Sequence, residues 1–243
     1  MKLQHIIIML LSAFLLGINR SLAQLPNTLP KNEFGLTIVN TKPSFKASIA
    51  QDSSKQMVEL AKYVANIKTD FVYATNKNFT HHILYRKPKA YLRLAAAMAL
   101  QKAANELSIK GLGLLIYDAY RPYSVTKTMW QIVPDNRYAA NPAKGSGHNR
   151  GIAVDLTLYN LQTGLPLLMP TLFDDFTEKA HHNYMQLDSV VLANRQLLKT
   201  TMEQQGFKAL DTEWWHYYLP NAPYYELLDF DFTQMNKLVH KAH

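Results

Sequence analysis

The order of hydrophobic and polar positions predicts a chain of mixed helices and strands. In several segments, apolar residues recur at intervals of three and four, which is typical of amphipathic helices. Four segments share this spacing: residues 56–67, 88–107, 124–133 and 187–204. The second is the clearest, because it has a proline near its start, many alanines, and Lys110-Gly111 after its end.

Other segments have the pattern of strands. The near-continuous apolar run over residues 113–117 is typical of a buried strand, and the largely apolar residues 152–158 are predicted as a second strand. Residues 71–74 and 214–219 are also predicted as strands. Because strands and helices do not follow each other in regular β-α-β units, we expect an α+β fold rather than a doubly wound sheet. The prediction is a single domain with a mainly antiparallel central sheet flanked by helices.

The N-terminus has the pattern of a secretory signal. Lys2 supplies a basic start, residues 6–17 are apolar, and Ser21-Leu22-Ala23 offers small residues for cleavage. The alternative is a membrane anchor, but the apolar run is shorter than the roughly 20 residues that a spanning helix needs. We therefore expect a cleaved signal peptide, export to the periplasm or medium, and no stable membrane insertion after cleavage.

The expected division of the chain has three parts. The signal peptide covers residues 1–23, and an extended leader rich in Pro, Asn, Lys and Ser covers residues 24–52. The remaining residues, 53–243, are expected to form one domain, because no linker divides them.

Composition narrows the chemistry. The 243 residues contain no cysteine, so an exported form relies on no disulfide, and any zinc site must use histidines and carboxylates. The net charge of +8 comes from scattered basic residues without a Lys/Arg run or a basic-aromatic motif. We therefore expect a solvated surface with at most weak attraction to an anionic envelope, and no nucleic-acid partner.

Two short segments contain the residue types of a catalytic zinc site. One contains His148 and Asp155, and the other contains Glu213 and His216. Zinc enzymes typically use three protein ligands and leave the fourth position to water. The two histidines and Asp155 would be the three ligands, and Glu213 would be the base that activates the water. Because these four residues fill all the roles of such a site, the sequence predicts a metallohydrolase.

The first segment leaves alternatives open. Glycines at 145, 147 and 151 place His148 in a loop of unusual backbone freedom, just before a predicted strand. The alternative is an ordinary surface histidine. Asp155 lies inside an apolar strand, where a carboxylate is costly to bury unless it is paired or bound to a metal. An ion pair with an arginine would serve equally.

The second segment is less decisive. His216 belongs to an aromatic strand, and Glu213 precedes it by three residues. Because side chains alternate along a strand, Glu213 would lie on the opposite face unless the backbone bends. The alternatives are an exposed glutamate and a histidine in an aromatic belt.

Arg121 is the fifth candidate. It lies where a predicted core strand ends, between Tyr120 and Pro122. A guanidinium at that point could stabilise the oxyanion of a tetrahedral intermediate. It could equally form a structural ion pair with Asp118.

The motifs together resemble a known family. Tyr-Asp-Ala-Tyr-Arg-Pro at 117–122, Ser-x-His-x-x-Gly-x-Ala-x-Asp at 146–155 and Glu-x-x-His at 213–216 occur in this order. They resemble the D-alanyl-D-alanine dipeptidases, VanX-type zinc peptidases related to the D,D-carboxypeptidases, with a hedgehog/D,D-peptidase fold. The similarity extends to Tyr-Ala-Thr-x-x-Asn-Phe at 73–79 and Met-Pro-Thr-x-Phe-Asp at 169–174, and covers the chain from about residue 55 onward.

The resemblance implies hydrolysis of free D-Ala-D-Ala with one Zn²⁺ per chain. It implies a role for each candidate: zinc binding by His148, Asp155 and His216, base catalysis by Glu213, and transition-state stabilisation by Arg121. It also implies contacts to the two charged ends of the dipeptide from Tyr73, Ser146 and Asp174. One departure is Pro170, where many relatives have glycine, in the loop that carries Asp174.

Two other functions compete with this one. A zinc D,D-carboxypeptidase, or another peptidase of peptidoglycan stem peptides, would use the same chemistry in an open cleft. A non-catalytic module that binds zinc or cell wall is the more distant alternative, and Glu213 would have no purpose in it.

Overall fold

The central sheet is built from the apolar runs of the sequence. The computed structural model describes residues 31–240, so the predicted signal peptide lies outside the described residues. Five strands pair in the order β3-β5-β6-β8-β7, with β3 parallel to β5 and the other pairs antiparallel. Their bounds are β3 Ile67–Thr69, β5 Leu112–Asp118, β6 Ala153–Asn160, β7 Lys208–Leu210 and β8 Glu213–Tyr218. The α+β fold with a mainly antiparallel central sheet is therefore confirmed.

Two long helices cover the sheet, namely α3 (Leu94–Ile109) and α6 (Ser189–Gln204), which also contact each other. The buried face of α3 is rich in alanine, which lets the helix approach β5 closely. After the C-cap residue Lys110, Gly111 adopts the left-handed backbone conformation that ends many helices. Buried side chains of both helices join those of β5, β6 and β8 in one core cluster.

Smaller elements surround this core. Two further sheets have two strands each, β1 with β9 (parallel) and β2 with β4 (antiparallel). The remaining strands are β1 Ile38–Val39, β2 Met57–Glu59, β4 Tyr91–Arg93 and β9 Leu227–Leu228. The remaining helices are α1 Lys42–Gln51, α2 Leu60–Tyr63, α4 Tyr123–Ile132, α5 Gly147–Arg150 and α7 Phe232–His240.

Several predicted elements are confirmed with bounds shifted by a few residues. The strands expected over 113–117, 152–158 and 214–219 are β5, β6 and β8. The helices expected over 124–133 and 187–204 are α4 and α6. Over residues 31–240, no helix is both long and apolar enough to cross a membrane.

Other predicted elements are wrong. The expected helix over residues 56–67 is divided into β2, α2 and the start of β3, because β2 pairs with β4 instead of continuing a helical turn. The helix expected from Pro88 begins only at Leu94, after β4. The expected strand over 71–74 is a 3-10 turn, Val72–Ala74.

The expected extended leader over 24–52 is also wrong for its described part. Thr41 forms a capping box with Ser44, and Pro43 occupies the first turn of α1, so this polar segment starts a helix. Strand β1 pairs with β9, and Ser48 donates a hydrogen bond to Glu226 (3.1 Å). This part of the segment therefore packs on the domain.

Candidate active site

The three predicted metal ligands meet at one end of the sheet. His216 Nδ1 lies 2.8 Å from Asp155 Oδ1, and His148 Nε2 lies 3.3 Å from Asp155 Oδ2. The two imidazole nitrogens are 3.2 Å apart, and all three ligand atoms lie within 4.8 Å of one another. Two nitrogens and a carboxylate oxygen therefore face a common point.

Sheet register and a short helix bring these residues together. In the antiparallel pair of β6 and β8, Asp155 is directly opposite His216. His148 lies in α5, where Ser146 Oγ accepts a hydrogen bond from the His148 backbone and Gly151 ends the helix at a φ of 70°. His148 is thus in a capped helical turn rather than in the expected loop, and the left-handed residue at its end explains the glycine.

The orientation of His148 excludes a surface histidine, because only 3% of the residue is exposed. Its Nδ1 lies 2.7 Å from the carbonyl oxygen of Ala119, so Nδ1–H donates there and Nε2 keeps its lone pair for the cluster. Burial opposes its charged form, yet Asp155 raises the pKa of His148 above its ordinary value. Burial also disfavours the Asp155 carboxylate, but the two histidines keep its pKa lowered.

Glu213 reaches the same cavity because the end of the sheet is irregular. The register of β7 against β8 shifts between Ala209 and Leu210, and Leu210 then pairs with Glu213. Glu213 and His216 therefore line one cavity, although regular alternation would separate them. Burial raises the pKa of Glu213 to about 7, against the opposing effect of His216.

Arg121 forms the predicted ion pair with Asp118 and also lines the cavity. Its Nε and Nη2 donate to Asp118 Oδ2 at 2.9 and 2.7 Å, so the ion pair with Asp118 is present. The guanidinium also lies 5.3 Å from the centre of the Tyr73 ring and lines the cavity beside His148. The ion pair with Asp118 therefore fixes the orientation of the guanidinium while leaving it in the wall of the cavity.

The residues expected to hold a dipeptide lie in the same cavity. Tyr73 donates a hydrogen bond from its hydroxyl to Asp174 Oδ2 (2.8 Å). Burial raises the pKa of Asp174 to about 8, and the Tyr73 hydroxyl opposes this shift. Asp174 has a φ of 60°, and Ser146 both caps α5 and lines the cavity.

The cavity itself has a volume of about 240 Å³. Beside the residues above, three aromatic side chains form one wall of it: Tyr138 contacts Phe176 edge-on at 4.8 Å, and Phe176 contacts Trp215 at 6.1 Å. Sequence reasoning missed this wall, because its members are far apart along the chain. It also missed Tyr85, whose hydroxyl donates to Asp118 (2.8 Å) and which no motif includes.

A family model and several known proteins that share one description match this chain. A family model described as D-ala-D-ala dipeptidase matches residues 53–235. A D-alanyl-D-alanine dipeptidase of Escherichia coli K12 is 35% identical over 178 residues, which are 73% of this chain and 92% of that protein. Proteins of the same description from Enterococcus faecalis and Streptomyces coelicolor are 33% and 32% identical, covering 68% and 70% of this chain and 92% and 93% of those proteins.

Proposed function

We propose, from the premise that the chain belongs to the family of D-Ala-D-Ala dipeptidases, that it hydrolyses the peptide bond of free D-Ala-D-Ala at a single Zn²⁺. His148, Asp155 and His216 would bind the metal, and Glu213 would be the catalytic base. The observation that carries this proposal is the convergence of three ligand atoms within 4.8 Å in a cavity that also holds Glu213.

The donor set fits zinc. Two imidazoles and one carboxylate are common ligands of catalytic zinc sites, which keep one position open for water or substrate. The Nδ1–H of His148 is anchored on Ala119, an arrangement that orients metal-bound histidines in proteins. When bound, zinc supplies Lewis acidity, which polarises the scissile carbonyl and acidifies the attacking water.

Glu213 is suited to moving protons in this reaction. A general base works best when its pKa is close to the working pH, and burial raises that of Glu213 to about 7. Its carboxylate would take a proton from the attacking water and return it to the leaving amine.

Arg121 would stabilise the negative charge that develops on the scissile carbonyl oxygen. Donors that are already oriented before the reaction are the most effective, because no reorganisation is needed as charge develops. The bonds from Nε and Nη2 to Asp118 supply that orientation.

The cavity favours a small zwitterion. Its volume of about 240 Å³ is below the roughly 300–1,000 Å³ of sites for drug-sized ligands. Within residues 31–240, the buried carboxyl of Asp174 forms no ion pair with a lysine or arginine side chain, and the ammonium of a dipeptide would supply a cation. Ser146 and Tyr73 would then contact the rest of the dipeptide, and the aromatic wall would exclude a longer stem peptide.

A substrate panel tests the proposal. We expect turnover of free D-Ala-D-Ala that a chelator abolishes and Zn²⁺ restores, with poor turnover of N-acetyl-D-Ala-D-Ala and of L-Ala-L-Ala. Preference for the acetylated peptide would instead indicate a D,D-carboxypeptidase. Stoichiometric zinc without chelator-sensitive hydrolysis would indicate a binding module.

We also propose that the enzyme is exported, because residues 1–23 have the composition of a cleavable signal. An exported enzyme would act on dipeptides released from the cell wall rather than on a cytoplasmic pool. Fractionation of expressing cells should place the protein outside the cytoplasm, with a mature N-terminus directly after Ala23. Full-length protein in the cytoplasm would refute export.

A further inference from the structure

We infer that Tyr85 is a positioning residue, which orients the Arg121 guanidinium through Asp118. The inference rests on the proposed role of Arg121 in catalysis. Tyr85 does not line the cavity, so any effect on the reaction must pass through another residue.

Tyr85 and Arg121 are connected through the carboxylate of Asp118, both of whose oxygens accept hydrogen bonds. Asp118 is fully buried at the end of β5. Its Oδ1 accepts hydrogen bonds from the Tyr85 hydroxyl (2.8 Å) and the Ala119 backbone (2.9 Å). Its Oδ2 accepts both bonds from Arg121. Because Oδ1 is occupied by these two donors, Oδ2 is held toward Arg121.

Tyr85 is itself held rigidly. Its ring packs edge-on against Tyr73 (5.5 Å) and Phe232 (4.9 Å). The backbone N–H groups of Leu84 and Tyr85 both donate to the carbonyl oxygen of Tyr73 (2.9 Å each). The segment from Tyr73 to Tyr85 thus supplies two hydroxyls, one that donates to Asp174 and one that donates to Asp118.

The chemistry predicts what the Tyr85 hydroxyl contributes. Hydrogen bonds to ionised groups are stronger than neutral ones, and a buried carboxylate that loses a donor must recover it by moving. A rotation of Asp118 would carry Oδ2 and the guanidinium with it. The ground-state substrate does not depend on that cation, whereas the developing oxyanion does.

The test replaces only the hydroxyl. Tyr85→Phe keeps the ring contacts, and we expect kcat to fall by about 10-fold, the low end of what one charge-assisted hydrogen bond contributes, with KM changed less than about twofold. Affinity for a phosphinate analogue of D-Ala-D-Ala, which mimics the tetrahedral transition state, should fall by the same factor. Zinc content should match the wild type.

Tyr91→Phe is the matched control, because Tyr91 is fully buried and donates its hydroxyl to Asn236 outside the cavity. It should leave kcat and phosphinate affinity unchanged. The fraction of folded protein in both variants is measured by thermal unfolding. If the activity of Tyr85→Phe falls only as much as its folded fraction falls, the inference is wrong.

A second background separates action through Arg121 from a general effect. In an Arg121→Ala enzyme, adding Tyr85→Phe should change phosphinate affinity by less than about twofold, since the group that Tyr85 orients is gone. An equal loss in both backgrounds would overturn the inference. If the wild type turns over D-Ala-D-Ala and Tyr85→Phe has the same kcat and phosphinate affinity, only this inference is overturned. If the wild type does not turn over D-Ala-D-Ala, the proposed function and this inference are overturned together.

Discussion

Two groups of buried charges show how carboxylate side chains serve different purposes in different parts of the molecule. In the first, which we call the Glu226 cluster (Glu226, Lys55, Arg93 and Ser48), the carboxylate accepts hydrogen bonds from Lys55 (2.9 Å), Ser48 (3.1 Å) and Arg93 (3.4 Å). Burial disfavours the charge on Glu226, but the two cations outweigh it and its pKa is lowered. The cluster ties α1 and the chain before β2 to the chain before β9.

Two carboxyl groups of the cavity, those of Glu213 and Asp174, show the opposite behaviour, whereas Asp155 beside them keeps a lowered pKa because of its two histidines. Burial raises the pKa of Glu213 to about 7 and that of Asp174 to about 8, and Arg121 in the same cavity is already bonded to Asp118. The difference teaches that this fold neutralises carboxylates where they join segments. It leaves them under-compensated where a proton or a charged substrate must be exchanged.

The largest expected effect comes from removing the base in the cavity. Glu213→Ala should lower kcat by roughly 10³-fold, within the range known for general bases. Zinc content by elemental analysis should be unchanged. Loss of the metal together with activity would mean that Glu213 is a ligand and not the base.

Arg121→Lys should follow, with kcat lowered by about 10²-fold or more, as for the loss of one oxyanion donor. An ammonium retains the charge but cannot donate in the fork geometry that Asp118 now orients. Steady-state kinetics should show the loss in kcat rather than in KM. A wild-type kcat would leave Arg121 with only its structural ion pair.

The Glu226 cluster should respond in stability instead. Glu226→Gln leaves two buried cations without their counter-charge, which typically costs about 3 kcal/mol or more. For a chain of this size, this lowers the midpoint of thermal unfolding by about 6–12 °C. The kcat of the remaining folded enzyme should be unchanged, and a fall in kcat would show that the two clusters are coupled.

Asp174→Asn should change stability with the opposite sign, as an increase that depends on pH. The pKa of Asp174 is about 8 in the folded protein and near 4 when unfolded, so its burial costs nothing below pH ~4 and increasingly destabilises the fold as pH rises toward 8. The neutral amide avoids this cost, and asparagine tolerates the φ of 60°.

We therefore expect the midpoint of thermal unfolding of Asp174→Asn to exceed that of the wild type by several degrees at pH 9, and by less at pH 5. The KM for D-Ala-D-Ala should rise at the same time. A variant that is less stable than the wild type at pH 9 would contradict the view that this carboxylate is under-compensated.

Local sequence patterns correctly predicted the elements that have the same buried surroundings along their length. Strands β5 and β6 are buried on both faces, so they are largely apolar and their positions can be predicted from the sequence. Residues 56–67 misled the same reasoning. Met57 belongs to one hydrophobic cluster, while Leu60 and Val64 belong to the other, although the three have helical spacing.

The sequence by itself determined the ingredients of the site. The absence of cysteine leaves histidines and carboxylates as metal ligands, and the motifs contain all of the candidates from Tyr73 to His216. Only the tertiary structure decided how they meet. The register that sets Asp155 opposite His216, the shift that turns Glu213 into the cavity, and the bond from Tyr85 to Asp118 all join distant parts of the chain. Spacing along a chain constrains only local geometry, whereas burial and pairing depend on which distant residues pack together.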